Sequence, residues 1–92
     1  MTVTLDTIIR RHPDQISSEM DGQTVLMTIS TGLYFGLNAV GSDIWRQLDA
    51  PKSVGDLVTD VVARYDVDEA SCRADILALV EQLVEHQLVQ VG

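Results

Sequence analysis

The apolar residues change their spacing within one short stretch, residues 33–48, and the rest of the chain is arranged around that change. In its first part Leu33, Phe35 and Leu37 occupy alternate positions, which is the period of a strand. From residue 40 onward the apolar positions lie four apart, which is the spacing of one helix face. Asn38 stands between the two parts and is a good helix N-cap, because its side-chain oxygen can accept from an unpaired amide of the first turn. The stretch therefore predicts a short strand that runs directly into an amphipathic helix.

The segments before this stretch predict a sheet, and the segments after it predict helices. Gly22 and Gly32 mark two turns, because glycine readily adopts positive φ. They separate three extended runs, at residues 15–20, 23–30 and 33–37. Helices are predicted at about residues 39–48, 54–65 and 69–86. Because consecutive strands with short turns pair side by side, the predicted fold class is α+β and winged-helix-like, a three-stranded antiparallel meander followed by three helices.

The two ends of the chain carry weaker patterns. Residues 1–14 end in a basic cluster before Pro13, and we expect them to form a flexible lead-in. Residues 15–92 then form one domain, since a chain of 92 residues supplies a single core. After the third helix, Leu88 and Val89 begin a short extended tail.

The charge of the chain excludes several classes of partner. It carries 6 Lys and Arg against 14 Asp and Glu, a formal net charge of -8. Such a field repels the phosphates of nucleic acid and anionic lipid, and it attracts a basic peptide segment. No run approaches the roughly 18 consecutive apolar residues of a membrane span. The net charge and the lack of a long apolar run lead us to expect neither a nucleic acid nor a membrane as partner. The single cysteine excludes an internal disulfide framework and is typical of a reducing compartment, so we expect a cytoplasmic protein.

No group of side chains has the pattern of a catalytic or metal site. Cys72, His12 and His86 are the only Cys and His residues, and they are scattered along the chain. A thiol nucleophile needs a base within hydrogen-bond reach, and a structural zinc site needs four ligands. The aspartates at positions 66 and 68 lack the Gly and the Glu that a calcium loop needs further on. We therefore expect no enzymatic activity, no metal and no cofactor.

Two other classes of function stay open on these patterns. Ser42, near the start of the first helix of an acidic small domain, has the setting of a carrier protein's modified serine or of a regulatory domain, although its expected role is a surface residue. A small sheet with three helices also fits a winged-helix DNA-binding protein. DNA reading needs a basic recognition helix, and the third predicted helix is acidic.

The third predicted helix has a broader apolar surface than one contact stripe requires. One ridge contains Leu77, Val80 and Val84. A second ridge, turned around the axis, contains Ile76, Leu79 and Leu83. We assign the first ridge to the core and the second to a partner.

The residues Tyr34-Phe35-Gly36-Leu37-Asn38, followed by Ile44-Trp45, an acidic connector and a long leucine-rich helix, resemble the PqqD-like family. Members of this family are the recognition elements that bind the leader region of ribosomally made, modified peptides. The resemblance covers about residues 15–91, and the stand-alone length is similar to that of the leader-binding proteins of lasso peptide clusters. The sequence departs from the family at Gln87, where a glycine often precedes the final strand.

The resemblance implies a function without catalysis. The leader of a precursor peptide would add as a strand to the edge of the third strand and dock against the third helix. The protein would then present it to a separate leader peptidase, with the cyclase of the same pathway as a further partner. The implied peptide-binding residues are Leu33, Tyr34, Phe35, Gly36, Leu37, Ile76, Leu79 and Leu83. Ile44 and Trp45 are expected in the core beneath the sheet.

Overall fold

The computed structural model describes residues 3–92, which form two small antiparallel sheets and three helices. The strands are β1 (Ile8–Arg11), β2 (Gln15–Met20), β3 (Gln23–Thr28), β4 (Tyr34–Gly36), β5 (Lys52–Ser53) and β6 (Val89–Val91). The helices are α1 (Ala39–Gln47), α2 (Val54–Arg64) and α3 (Glu69–Glu85). The predicted meander followed by three helices is confirmed, with the third predicted strand as β4. No helix of the described residues is long and apolar enough to cross a membrane.

The turn at residues 21 and 22 sets the register of the meander. Asp21 and Gly22 have φ values of 54° and 82°, so both central residues adopt the left-handed region that a tight type I′ hairpin turn requires. The ladder then pairs Met20 with Gln23 and continues to the pair of Gln15 with Thr28. On its other side β3 pairs with β4 over three residues, with Leu26 opposite Phe35. The sheet order is β2-β3-β4, which leaves β4 at an edge.

Each helix begins at the residue that its sequence predicts. The Asn38 side chain accepts from Gly41 N at 2.8 Å, and the Ser53 side chain accepts from Asp56 N at 3.1 Å. Asp68 caps α3 in the same way. These caps satisfy backbone amides that have no partner within the helix, and this is why the three helices begin at those points.

The end of α3 explains the departure at Gln87. The amide of Leu88 bonds Leu83 O at 2.9 Å and that of Gln87 bonds Val84 O at 3.1 Å, which together form a Schellman cap. Gln87 takes the left-handed conformation, with φ 58°. Glycine adopts this conformation without steric cost, so Gln87 fills the position with some strain and the helix still ends in the usual way.

The segment before Gln15 contains a strand that the sequence analysis missed. β1 lies in the middle of the second sheet, whose order is β5-β1-β6. Ile9 pairs with Lys52 on one side and with Val91 on the other, and its side chain is fully buried. The expectation of a flexible lead-in is therefore wrong for Ile8–Arg11. Both partners of β1 lie far away in the sequence, and a four-residue strand with one fully buried side chain shows little alternation.

One hydrophobic core joins the two sheets to the helices. Ile44 is fully buried and Trp45 is 2% exposed, as predicted. The Arg11 guanidinium lies over the Trp45 ring at 4.8 Å and donates to Trp45 O at 2.7 Å, which attaches β1 to α1. Other buried members of the core are Val3, Ile9, Leu26, Leu37, Leu48, Val54, Leu57, Val58, Val61, Cys72, Ile76, Val80, Leu83, Leu88 and Val89.

Candidate functional site

The outer edge of β4 has no neighbouring strand among residues 3–92. On the inner edge, Thr28 N donates to Leu33 O at 3.0 Å and Leu37 N donates to Thr24 O at 2.9 Å. Because backbone groups alternate between the two edges of an antiparallel strand, the odd-numbered residues here face β3. The N–H and C=O groups of Tyr34 and Gly36 therefore face the open edge, where a further strand could pair with them.

A cavity of about 500 Å³ lies beside this open edge, between the start of α1 and the first half of α3. Most of its wall is apolar, with Val40, Ile44 and Val61 on the side of α1 and α2. The remaining lining residues are Gly36, Leu37, Asn38, Gly41, Val67, Asp68, Ser71, Cys72, Asp75, Ile76 and Leu79.

A second cavity of about 380 Å³ continues along the second half of α3. Phe35 and His86 close part of it, with their ring centroids 4.6 Å apart. Gly36, Leu37 and Leu79 line both cavities, so the two adjoin at these residues. We call the pair of cavities the groove. It runs beside the open edge of β4 and is large enough to take several side chains of an extended peptide.

One face of α3 forms the far wall of the groove. Asp75, Leu79, Gln82 and His86 line it and follow one another at steps of four, three and four, the spacing of a single helix face. Leu79 is half-buried and lies at the middle of this wall, whereas the other three are exposed. The wall therefore presents one apolar side chain between polar ones.

The model of the family described as coenzyme PQQ synthesis protein D (PqqD) matches residues 23–89, more than half of the chain. The chain belongs to the PqqD family. The matched residues include β4 and all three helices, which line the groove, and β3, which pairs with β4. The resemblance stated from the sequence is thereby confirmed.

Solved structures agree with this assignment. TbiB1, in complex with the TbiA(beta) leader peptide, is 32% identical with a TM-score of 0.81, over 88% of this chain and 94% of that chain. A lasso peptide synthetase B1 complexed with the leader peptide is 28% identical with a TM-score of 0.78, over 89% and 96% of the two chains.

A third structure shares the fold alone. It is the PqqD truncation of Methylobacterium extorquens PqqCD, described as a functional and stand-alone RiPP recognition element. The identity is 18% and the TM-score 0.79, over 97% of this chain and 95% of that chain. No match was found among curated proteins.

Only some of the predicted strand residues of this PqqD-family chain line the groove. Leu37 is 6% exposed and lines both cavities, and Phe35 is half-buried in the wall of the second. Leu33 is 53% exposed and Tyr34 is 71% exposed, and neither lines the groove. Tyr34 contributes backbone groups at the open edge, as Gly36 does.

The predicted division of α3 into two ridges is only partly correct. Ile76 and Leu83, assigned to the partner ridge, are 3% and 4% exposed and belong to the core. Leu77 and Val84, assigned to the core ridge, are only half-buried. Val80 is fully buried as predicted. Ile76 and Leu83 still line the floor of the groove from within the core, so their role in peptide binding stays a prediction.

The polar residues of the groove wall, Asp75, Gln82 and His86, were not predicted as part of the site. Only Leu79 of this helix face is apolar, so the apolar spacing of α3 does not indicate the other three. The signal was available in the helical period itself, since stepping by three or four from Leu79 reaches all three. Val40 was assigned to a helix face, and the structure also places it in the larger cavity.

Cys72 lies in the wall of the larger cavity and is buried. Burial raises the pKa of its thiol, and the negative charges of Asp75 and Glu69 raise it further. The thiol is therefore protonated at neutral pH and is a poor nucleophile. No group of His, Cys, Asp or Glu within residues 3–92 is arranged to hold a metal ion.

Ser42 is not the surface residue that the sequence analysis expected. It is fully buried, accepts from Thr24 N at 2.9 Å and donates to Leu37 O at 3.3 Å. Its hydroxyl thus holds α1 against β3 and the end of β4, where no modifying enzyme could reach it. This placement contradicts the carrier-protein alternative.

Proposed function

We propose that this PqqD-family protein binds the leader region of a ribosomal precursor peptide and catalyses no reaction itself. The observation that carries the proposal is the open edge of β4 beside the groove. The leader would pair as a strand with the backbone groups of Tyr34 and Gly36, and its side chains on the helix side would enter the groove. The similarity to two proteins in complex with leader peptides, one of them a lasso peptide synthetase B1, supports the binding of a leader.

Tight leader binding requires both the backbone pairing at β4 and the apolar contacts in the groove. Four backbone hydrogen bonds at about 1 kcal/mol each would contribute about 4 kcal/mol. Ordering a disordered leader costs about 2–5 kcal/mol, which removes most of that gain. Micromolar affinity corresponds to about 8 kcal/mol. Apolar anchors buried in the groove at about 1.5–3 kcal/mol each would supply the difference, so the groove carries both affinity and sequence selection.

The proposed partner enzymes are those that the resemblance to leader-binding proteins of lasso peptide clusters implies. The leader would be presented to a separate leader peptidase, and to the cyclase of the same lasso peptide pathway, in the cytoplasm. A leader held along one edge of the sheet keeps its other edge and its outward side chains accessible to such enzymes. The DNA-binding alternative has no support in α3, whose Glu69, Asp75, Glu81 and Glu85 are all exposed.

Titration of the protein with a synthetic leader tests the proposal. The probe is the TbiA(beta) leader peptide, which the TbiB1 complex contains, and binding is followed by NMR chemical shifts of the backbone amides. We expect the largest shifts at β4 and along α3 from Asp75 to His86. Thiol labelling of Cys72 should also slow in the complex, because the peptide covers the cavity that it lines. Shifts confined to other surfaces would overturn the proposal.

A pair of substitutions at Gly36 tests the strand pairing directly. Gly36→Pro removes an amide that faces the open edge and donates no hydrogen bond to β3. Gly36→Ala keeps that amide, and a Cβ at this position meets no atom within 4 Å. We expect Gly36→Pro to weaken leader binding by about 1 kcal/mol or more, and Gly36→Ala to leave it nearly unchanged. Isothermal titration with circular dichroism as the folding control measures both. Equal affinities for the two variants would contradict strand pairing at Gly36.

A further inference from the structure

Three carboxylates line the groove, and neither Lys nor Arg does. Asp68 and Asp75 belong to the wall of the larger cavity, and Glu85 belongs to the wall of the smaller one. A peptide that enters the groove therefore meets apolar floor residues with carboxylates at the rim.

Of the two aspartates at the larger cavity, only Asp68 has a hydrogen-bond partner for its carboxylate within residues 3–92. The Asp68 carboxylate accepts from Ser71 N at 2.9 Å and serves as the cap of α3. Asp75 takes part in none of the ion pairs and side-chain hydrogen bonds found among residues 3–92. The one arginine of α3, Arg73, lies 3.8 Å from Glu69 instead.

The Asp75 side chain lies at the larger cavity, which it lines together with Cys72. The negative charge of Asp75 contributes to the raised pKa of the Cys72 thiol, which lines the same cavity. Asp75 is also one helical turn before Leu79, the apolar residue at the middle of the groove wall. Its carboxylate thus stands beside the space that an apolar anchor would fill.

We infer that the peptide bound in the groove carries a Lys or Arg next to the apolar side chain that fills the larger cavity, and that Asp75 selects for it. This inference rests on the proposed function. The apolar anchor supplies most of the affinity, because an exposed ion pair contributes little. The Asp75 carboxylate chiefly determines which peptides bind. A peptide with Asp or Glu next to the apolar anchor is disfavoured, because its charge has the same sign as that of Asp75. The net charge of -8 adds a long-range attraction for basic peptides that weakens as salt is added.

Selection from a peptide library tests the inference and does not require the sequence of the natural leader. A displayed library of random dodecapeptides is enriched on the wild-type protein and, in parallel, on Asp75→Asn and Asp75→Lys. We expect wild-type binders to contain Lys or Arg within two positions of a bulky apolar residue. Asp75→Asn should lose that preference, and Asp75→Lys should replace it with Asp or Glu. The same preference on all three proteins would overturn the role of Asp75.

A matched pair of titrations separates local pairing from net charge. One selected peptide is synthesised with its Lys and with Gln in that place, and both are titrated by fluorescence polarisation at low salt. We expect the Lys peptide to bind wild type about two- to fivefold tighter, and the two peptides to bind Asp75→Asn equally. Glu81→Gln removes the same charge from α3 outside the groove, and it should keep the wild-type ratio. A ratio that falls equally in Glu81→Gln would show a net-charge effect and overturn the local pairing.

NMR spectra of the complexes distinguish a failure of the proposed function from a failure of the charge selection. If the selected peptides leave the NMR signals of Tyr34, Phe35 and Gly36 unchanged, strand addition itself is wrong. If these signals shift but basic residues are not enriched, only the charge selection is wrong.

Discussion

Leu79 and Val80 show how far two adjacent residues of one helix can differ in role. Val80 is fully buried in the core, and Leu79 is half-buried at the groove wall, where it lines both cavities. Successive residues on a helix point about 100° apart, so one position separates the core from the binding surface. The same substitution at each site therefore tests the placement of the groove.

We predict that Leu79→Asp remains folded and that Val80→Asp does not. At Val80 the carboxylate would be buried without a partner, which costs more than so small a domain can lose. At Leu79 the introduced carboxylate can reach water in the free protein. A bound leader would bury it, and we expect this burial to weaken leader binding by at least about 2 kcal/mol. Circular dichroism with a fluorescence-polarisation titration of the leader measures both. An unfolded Leu79→Asp, or normal leader binding by both variants, would contradict the assignment of this wall.

At the scale of elements, β1 ties the two ends of the chain together. It pairs with β5 before α2 and with β6 after α3, and the Arg11 side chain adds a bond to α1. Ile9 and Ile8 are neighbours on this strand, but Ile9 is fully buried whereas Ile8 is 41% exposed. The strand therefore offers its own matched control.

We expect Ile9→Ala to destabilise the protein by about 2–5 kcal/mol, because it leaves a cavity between the second sheet and the helices. Ile8→Ala should cost well under half as much, since its side chain is already partly in water. Urea denaturation followed by circular dichroism gives both values. Similar costs for the two variants would mean that β1 is not packed as described.

At the scale of the whole molecule, Arg46 joins elements that are distant in the chain. Its guanidinium bonds Glu19 of β2 at 3.0 Å and Asp43 of α1 at 2.7 Å. Tyr65, which ends α2, donates its hydroxyl proton to the same Asp43 carboxylate. The hydrogen bond from Tyr65 and the charge of Arg46 hold the pKa of Asp43 below its usual value of 3.8. Arg46 thus links α1 to the first sheet, and Asp43 links α1 to the end of α2.

This linkage predicts a specific acid sensitivity. Because the folded pKa of Asp43 is lowered, its contribution to stability is present above pH 3.8 and is lost as the pH falls through the folded value. Asp43→Asn should therefore have a lower melting temperature than the wild type at pH 7, and the difference should shrink toward zero in strong acid. Asp49→Asn, at an exposed position after α1, is the control. A constant difference between pH 7 and pH 2.5 would contradict this account.

The small thickness of the molecule explains why the groove was only partly predictable. Its shortest dimension is 20 Å, so the floor of the groove and the core are made by the same side chains. Ile76 and Leu83 are therefore core residues and groove residues together, and an apolar pattern cannot separate the two roles. The edge strand and the capped helix that follows it were predictable, because both are local patterns. That the strand residues bind a peptide stays a prediction.

The features that depend on neighbouring residues could all be predicted from the amino-acid sequence. Local backbone preferences and side-chain spacing predict the turn at Asp21 and Gly22, the caps at Asn38, Ser53 and Asp68, and the order of the three meander strands and the three helices. They do not predict β5, which pairs with the distant β1. Tertiary contacts were needed to show that residues 8–11 form a strand, because both partners of that strand come from distant segments. They also determine which face of α3 meets the groove, since that choice depends on how α3 packs against α2 and on where β4 leaves its edge open.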